Sequence, residues 1–294
     1  MKVNGRWDYL YRAVDSKFGF SELAHPGFSI KSELETEQDR IGFAARVILE
    51  QIGVEAEEEA PDYLAQIRDK FNSWFPKTIE FSACARSTVR DLSSNDDPDV
   101  ALFVWMEREE ILFRTLEKYL LGEKLRSLTQ AGVEDTEPFI KLVQSALQRR
   151  KSRAGYALEN HLEQVVTDHS VTYTRTGVTE KHLKPDFIFP GISHYHDSEF
   201  PRARLTMLAS KSTCKDRWRQ MLNEAVRIPD KHLLTLEPSI SENQTNEMKS
   251  EQVQPVIPQG LHSSYTLAQQ TWLINIAGFI DLTRYRRRSN CWQS

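Results

Sequence analysis

Up to about residue 155, apolar residues return every three or four positions; beyond it they gather into short runs rich in β-branched and aromatic side chains. The first rhythm is that of helices with one buried stripe, the second that of strands. "DRIGFAARVILEQI" sets Ile41, Ala44, Ala45, Ile48 and Ile52 on one helical stripe, and "PDYLAQIRDKFNSWF" offers a second. The loop "SSNDDPD" then caps a long helix over about 100–128, in which Leu102, Trp105, Met106, Glu109, Leu112, Phe113 and Leu116 keep helical spacing. Two local features break the rhythm. "TIEFSACA" reads as a short strand, and "EPFIKLVQSALQRRKSRAGYALENHLEQVV" reads as two helices broken near Ser152.

Strands are expected at "VTYTR", "PDFIFPG", "RLTMLAS", "HLLTL" and "PVIP", with helices "CKDRWRQMLNEAV" and "SENQTNEMKSE" between the last three. The order predicts an α/β (mixed α+β) core, a central sheet covered by helices, behind a mainly helical N-terminal region.

Composition changes this picture little. The 294 residues, 39% hydrophobic and 27% charged, are ordinary for a folded chain and leave room for one large domain or two modest ones. Cys84, Cys214 and Cys291 are far apart without CxxC spacing, so neither a disulfide framework nor a zinc site is indicated. The start "MKVNGRWDYL" lacks a secretory apolar core, and "WLINIAGFIDL" is too short and polar to span a bilayer, so no membrane partner and a cytoplasmic location are expected. Net charge is -4, which speaks against coating nucleic acid non-specifically and leaves a local basic cleft open. Charge is in fact polarised: cations outnumber anions over 202–231, while "EAEEEAPD" carries much of the opposing charge.

The chemistry-bearing residues fall in that basic stretch and just before it. Asp186 follows Pro185 at a strand start, Lys211 ends the next long strand, and Glu224 is placed inside the helix after it. In that helix Trp218, Leu222 and Ala225 should face the sheet, with Arg217 and Glu224 about 10 Å apart along the axis. Two carboxylates and a lysine are what a metal-assisted phosphodiester hydrolase needs: hard oxygen donors for Mg²⁺, and an ammonium to position or help deprotonate the attacking water. Equally, Asp186 reads as a strand-end cap, Lys211 as a solvated strand terminus, and Glu224 as a helical neighbour of Arg217. His194 and His196 in "SHYHD" mimic a metal pair but have no fixed third ligand.

"KPDFIFPG", "LASKSTCKDRWRQMLNEA", "RIPDKHLLTLEPSIS" and the upstream "SRAGYALENHLE" resemble the catalytic domain of the EcoRII-like type II restriction endonucleases, in the PD-(D/E)XK nuclease superfamily. The resemblance covers about 105–279. It implies a Mg²⁺-dependent homodimer that cuts double-stranded DNA at a short palindrome with CC and GG halves (CCGG, CCNGG or CCWGG type), leaving 5′-phosphate ends. It also implies a cognate DNA methyltransferase as functional partner.

Asp186 matches the superfamily aspartate and Lys211 its lysine. The usual acid two residues before the lysine is Ala209 here, and Glu224 matches the acid that this family supplies from the next helix, making Asp186 and Glu224 the expected metal ligands. Glu159 matches the upstream helical glutamate, with Glu163 one turn on. Lys215, Asp216 and Arg217 match the element that reads the CC:GG half-site; Arg and Lys suit guanine O6 and N7, and Asp accepts from cytosine N4. The bland alternative is a charged helix N-terminus.

Related enzymes with odd-length sites flip out central bases. Trp105, Arg86 and Arg114 are candidates for that role, with core packing the alternative for Trp105. "QRRKSR" and "RYRRR" are candidate phosphate contacts or solvated helix ends. The implied division is 1–98 as a mainly helical region for dimerisation or DNA embrace, and 99–294 as the catalytic domain. Residues before 105 are too few and too helical for a separate effector domain, so an orthodox dimer is expected. Rival readings are a repair-type nuclease of the same superfamily, cutting by structure or damage, and a catalytically degenerate sequence-specific DNA-binding protein.

Overall fold

In a computed structural model of the chain, residues 63–71, 74–130 and 136–288 are described, apart from the side chains of 129–130 and 215–217. The stripe expected at 41–52 lies outside them. Among the described residues four helices come first: α1 (Tyr63–Phe71), α2 (Thr78–Ser87), α3 (Pro98–Gln130) and α4 (Glu137–Asp168). The sheet follows as β1 (Thr174–Arg175), β2 (Phe187–Phe189), β3 (Thr206–Lys211), β4 (Lys231–Thr235) and β5 (Val253–Val256). The remaining α-helices are α5 (Ile192–His196), α6 (Glu242–Ser250), α7 (Leu267–Gln270) and α8 (Ile276–Arg288).

Strand order is β1-β2-β3-β4-β5. The first two pairings are antiparallel and the last two parallel, which makes the sheet mixed. The parallel pairings need crossovers; α6 supplies one, and a 3-10 segment (Lys215–Asn223) supplies the other. β4 sits between two neighbours and is buried along its length, so its central "HLL" contains no outward polar position. Phe279 of α8 covers the sheet, its ring 5.5 Å from Phe189 and 5.2 Å from His232.

On the helical side, Ile67, Phe81, Ala85, Leu112, Phe113, Leu116 and Leu120 form one buried cluster shared by α1, α2 and α3. Asp99, at the start of α3, accepts hydrogen bonds from the backbone N–H groups of Gln259, Ile276 and Ala277, tying that helix to the start of α8. A carboxylate at a helix N-terminus meets orphan donors there.

Four local expectations are corrected. Residues 78–87 form a helix: Phe81, Ser82, Cys84 and Ala85 are buried as one helical wedge, and Ser82 receives a hydrogen bond from Asn160 of α4. The tertiary contact overrides the weak local strand signal. Helix α4 runs unbroken through Ser152, whose hydroxyl donates to the carbonyls of Gln148 and Arg149 inside the helix. One residue on, Arg153 is buried against Glu109 and Glu110, holding both halves on α3. "VTYTR" contributes only the two-residue β1.

The segment after β3 is a 3-10 helix, and Glu224 lies just past its end in extended conformation (φ -82°, ψ 144°). Among its described side chains the buried positions are accordingly Trp218 and Met221, three apart, with Ala225 beyond the end, while Leu222 is only half-buried. A 3-10 helix eclipses residues three apart, so the stripe moved from the α spacing expected.

Candidate active site

Asp186 immediately precedes β2, and its carbonyl accepts from Thr176 N–H at 3.0 Å, which holds the backbone beside β1. β2 pairs antiparallel with β3, Phe187 facing Leu208. The carboxylate oxygen Oδ2 of Asp186 therefore meets the far end of β3. It accepts from Ser210 N–H at 2.8 Å and from Lys211 Nζ at 2.9 Å. The pair is partly shielded, the Lys211 side chain 26% and the Asp186 side chain 16% exposed.

Residues 209 and 211 of a strand point to the same face. Ala209 is fully buried there and brings no charge. Glu224 provides the second acid from the turn after the 3-10 segment: burial and then the charge of Asp186 push its carboxyl above the usual range, while Lys211 and Lys231 draw it back. Its carboxylate makes no hydrogen bond or ion pair among the described residues.

Glu159 approaches from α4. Its Oε2 accepts from Arg175 at 2.8 Å. Burial pushes this carboxyl up, the Arg175 hydrogen bond opposes that, and the charges of Asp186 and Lys211 act on it in opposite senses. Glu159 and Glu224 thus each lie within electrostatic reach of the Asp186–Lys211 pair, the four drawn from α4, the start of β2, the end of β3 and the turn before β4.

Arg175 was not foreseen. It also donates to Glu163 at 2.7 Å and to the side-chain oxygen of Asn160 at 2.9 Å, so one guanidinium on β1 holds three acceptors of α4. Glu163 has Tyr173 as a further donor at 3.1 Å. The sequence signal was an acidic pair four apart in "ENHLE" followed by a single arginine closing "VTYTR". Arginine's fork matches carboxylates, but only the fold brings β1 beside α4.

Lys215, Asp216 and Arg217 begin the 3-10 segment directly after the loop leaving Lys211; their side chains lie outside the described residues. Trp105 is buried in the helical layer, its ring 5.9 Å from His161 and 5.8 Å from the guanidinium carbon of Arg86. Arg86 lies 3.1 Å from His161 Nδ1. An arginine can only donate, so Nδ1 accepts and the ring proton sits on Nε2, 2.9 Å from Glu109 Oε2. Burial pushes the His161 pKa down, in keeping with a neutral ring. Arg114 bonds Glu110 at 2.9 Å and Glu117 at 3.4 Å. These contacts of Trp105 and Arg114 are with residues of the helical layer.

In "QRRKSR", Arg150 pairs with Glu117 at 2.7 Å and Arg153 is buried, so both serve the α3–α4 contact. His196 Nε2 faces the carbonyl of Val178 at 3.0 Å, and His194 packs edge-on to Phe200. Among the described residues, no three His, Cys, Asp or Glu side chains form a metal cage. A two-carboxylate set is a different arrangement, and it suits a hard cation that keeps waters and substrate phosphate as its other ligands. Oδ1 of Asp186 and the Glu224 carboxylate are oxygen donors of that kind. No helix among the described residues is long and apolar enough to cross a membrane.

The chain is 42% identical over 209 residues to the type II restriction enzyme EcoRII of Escherichia coli, covering 70% of this chain and 50% of that protein. It thus spans about half the length of that curated relative. Its fold is similar to Ecl18kI in a metal-depleted complex with uncleaved, modified DNA (TM-score 0.63, 18% identity, 79% of this chain and 86% of that one). It is also similar to the restriction endonuclease PspGI in a substrate DNA complex (TM-score 0.58, 15% identity, 78% and 98%). At those identities the likeness establishes a PD-(D/E)XK-like fold. With residues 113–280 matching the family described as EcoRII C terminal, the chain belongs to that family.

Proposed function

We propose that the protein is a Mg²⁺-dependent type II restriction endonuclease that hydrolyses double-stranded DNA at a short palindrome with CC and GG halves and leaves 5′-phosphate ends. The observation that carries this reading is the Asp186–Lys211 pair, 2.9 Å apart, with Glu224 and Glu159 within its electrostatic reach. Asp186 and Glu224 are the proposed ligands of the ion, which when bound would offset charge on the scissile phosphate. Lys211 holds Asp186 in place and carries the positive charge that orients the attacking water. Glu159, restrained by Arg175, orders water or shapes the site from the helix side. Family membership and the DNA bound to Ecl18kI and PspGI in their solved complexes support DNA as the substrate.

Lys215, Asp216 and Arg217 are proposed to read the CC:GG half-site in the major groove, each bidentate contact discriminating by about 1–3 kcal/mol. Their chain position supports this, because the backbone leads from Lys211 straight into them. Trp105, Arg86 and Arg114 remain proposals for handling a flipped base; their place between helices favours a structural role instead. A palindromic site has twofold symmetry, which a homodimer matches, and residues 1–98 would assist assembly or embrace DNA, with 99–294 as the catalytic part. A host keeping such an enzyme in its cytoplasm needs a methyltransferase for its own sites.

The test is plasmid incubated with protein and Mg²⁺, with fragment ends mapped. Discrete fragments sharing one CC/GG site are expected, lost in Asp186→Ala and Lys211→Ala while thermal unfolding shows both variants folded. Salt-dependent binding without Mg²⁺-dependent cutting would replace this reading with that of a binding protein.

A further inference from the structure

Glu224 occupies an awkward place for a metal ligand. It follows the last residue of a 3-10 segment in extended conformation, and the next residue, Ala225, is fully buried at φ 47°. Side-chain-bearing residues seldom adopt that left-handed backbone, which persists only where the surroundings enforce it. An acid on β3 would be held by the sheet's own ladder; Glu224 has left that ladder.

Arg227 ties the far part of this turn to the segment 194–200, and one lysine fixes the part that carries Glu224. Lys231, the first residue of β4, is only 6% exposed, and its Nζ donates to three backbone carbonyls of this turn: Glu224 at 2.8 Å, Ile228 at 2.9 Å and Ala225 at 3.2 Å. An ammonium carries three N–H donors, and here each has an acceptor. The backbone of Lys231 is fixed in turn, facing Met207 of β3 and Val253 of β5, with its N–H donating to the Gln252 carbonyl at 2.9 Å. β3 is the strand that ends in Lys211. The turn bearing Glu224 is therefore bolted to the same sheet that holds the Asp186–Lys211 pair.

We infer that Lys231 is a positioning residue that aims the Glu224 carboxylate at the metal site, supplying the rigidity that an acid on β3 would take from the sheet. The inference rests on the reading of Glu224 as a metal ligand. Lys231 itself touches no substrate; it acts through the Glu224 backbone. Its positive charge adds a smaller effect of the same sense, drawing the Glu224 carboxyl down.

The test compares the intact protein with Lys231→Met and Glu224→Gln. Mn²⁺ binding is followed by loss of the free-ion electron paramagnetic resonance signal, alongside the Mg²⁺ needed for half-maximal plasmid cleavage and DNA binding in EDTA. Lys231→Met is expected to weaken Mn²⁺ binding and raise the Mg²⁺ requirement by about tenfold, the lower end for loss of a group supporting a metal ligand. High Mg²⁺ should recover cleavage, and metal-free DNA binding should be unchanged.

Adding Ala225→Gly should restore part of the metal affinity, because glycine holds a left-handed turn without a clamp. If Lys231→Met cannot be purified folded, Lys231→Gln, which keeps two donors, is measured in its place. Wild-type metal affinity in a folded Lys231 variant, with Glu224→Gln weakened, overturns the positioning role alone. Wild-type affinity in Glu224→Gln overturns the ligand reading on which it stands.

Discussion

Replacing Lys211 by Met keeps the length and apolar stem of the side chain and removes one charge. With that charge goes the 2.9 Å charge-assisted hydrogen bond to Asp186 Oδ2. Bonds of this kind contribute about 1.5–3 kcal/mol, and with the partners 26% and 16% exposed, solvent screening favours the lower half, about 1.5–2 kcal/mol. For a chain of this size that corresponds to a Tm lower by roughly 3–8 °C at neutral pH.

The destabilisation should depend on pH. Glu159 and Glu224 are already pushed up by burial, and Lys211 is a charge that draws both down. Without it, their ionisation in the folded state costs more. A raised folded-state carboxyl makes no difference below its unfolded value, about 4.3, and its full cost appears only above the folded value. The deficit of Lys211→Met is thus largest at neutral pH and shrinks as pH falls through that window. Differential scanning calorimetry of both proteins at pH 7.5 and pH 4 checks this, and an equal Tm deficit at both would sink the idea that Lys211 is the common counter-charge of these carboxylates.

Glu224→Gln should raise Tm at neutral pH, since it removes a carboxylate that is costly to ionise where it stands, and the gain should fade as pH falls below the carboxyl's folded value; thermal unfolding across pH reads it, and cleavage should be abolished in the same variant. Arg175→Gln leaves Glu159 and Glu163 without their shared guanidinium, at about 1.5–3 kcal/mol for each charged acceptor before screening. Urea unfolding measures that cost. Because Arg175 holds Glu159 down, the acid limb of the cleavage–pH profile should also move to higher pH, and an unmoved limb counts against a role for Glu159 in the reaction.

The placement of Asp186 and Lys211 was legible in the chain, and the reason is local. Asp186 and Lys211 sit at ends of apolar runs whose length and composition already mark them as strands, so their placement needed only alternation and run length. Helix α3 was legible for the same reason, an apolar stripe repeating over many turns. The helix at 78–87 was not, because its burial is completed by α3 and α4, far along the chain.

The sequence by itself determined the inventory: which acids and cations exist, and which strands end near Asp186 and Lys211. Tertiary structure alone decided how that inventory meets. Register brings Asp186 against Ser210 and Lys211; β1 lies beside α4, so Arg175 gathers Glu159, Glu163 and Asn160; and Lys231 closes over a turn whose backbone no local propensity favours. Local patterning is set by a residue's own neighbours, whereas these hydrogen bonds, spanning 7 to 25 positions, exist only once the sheet has formed around them.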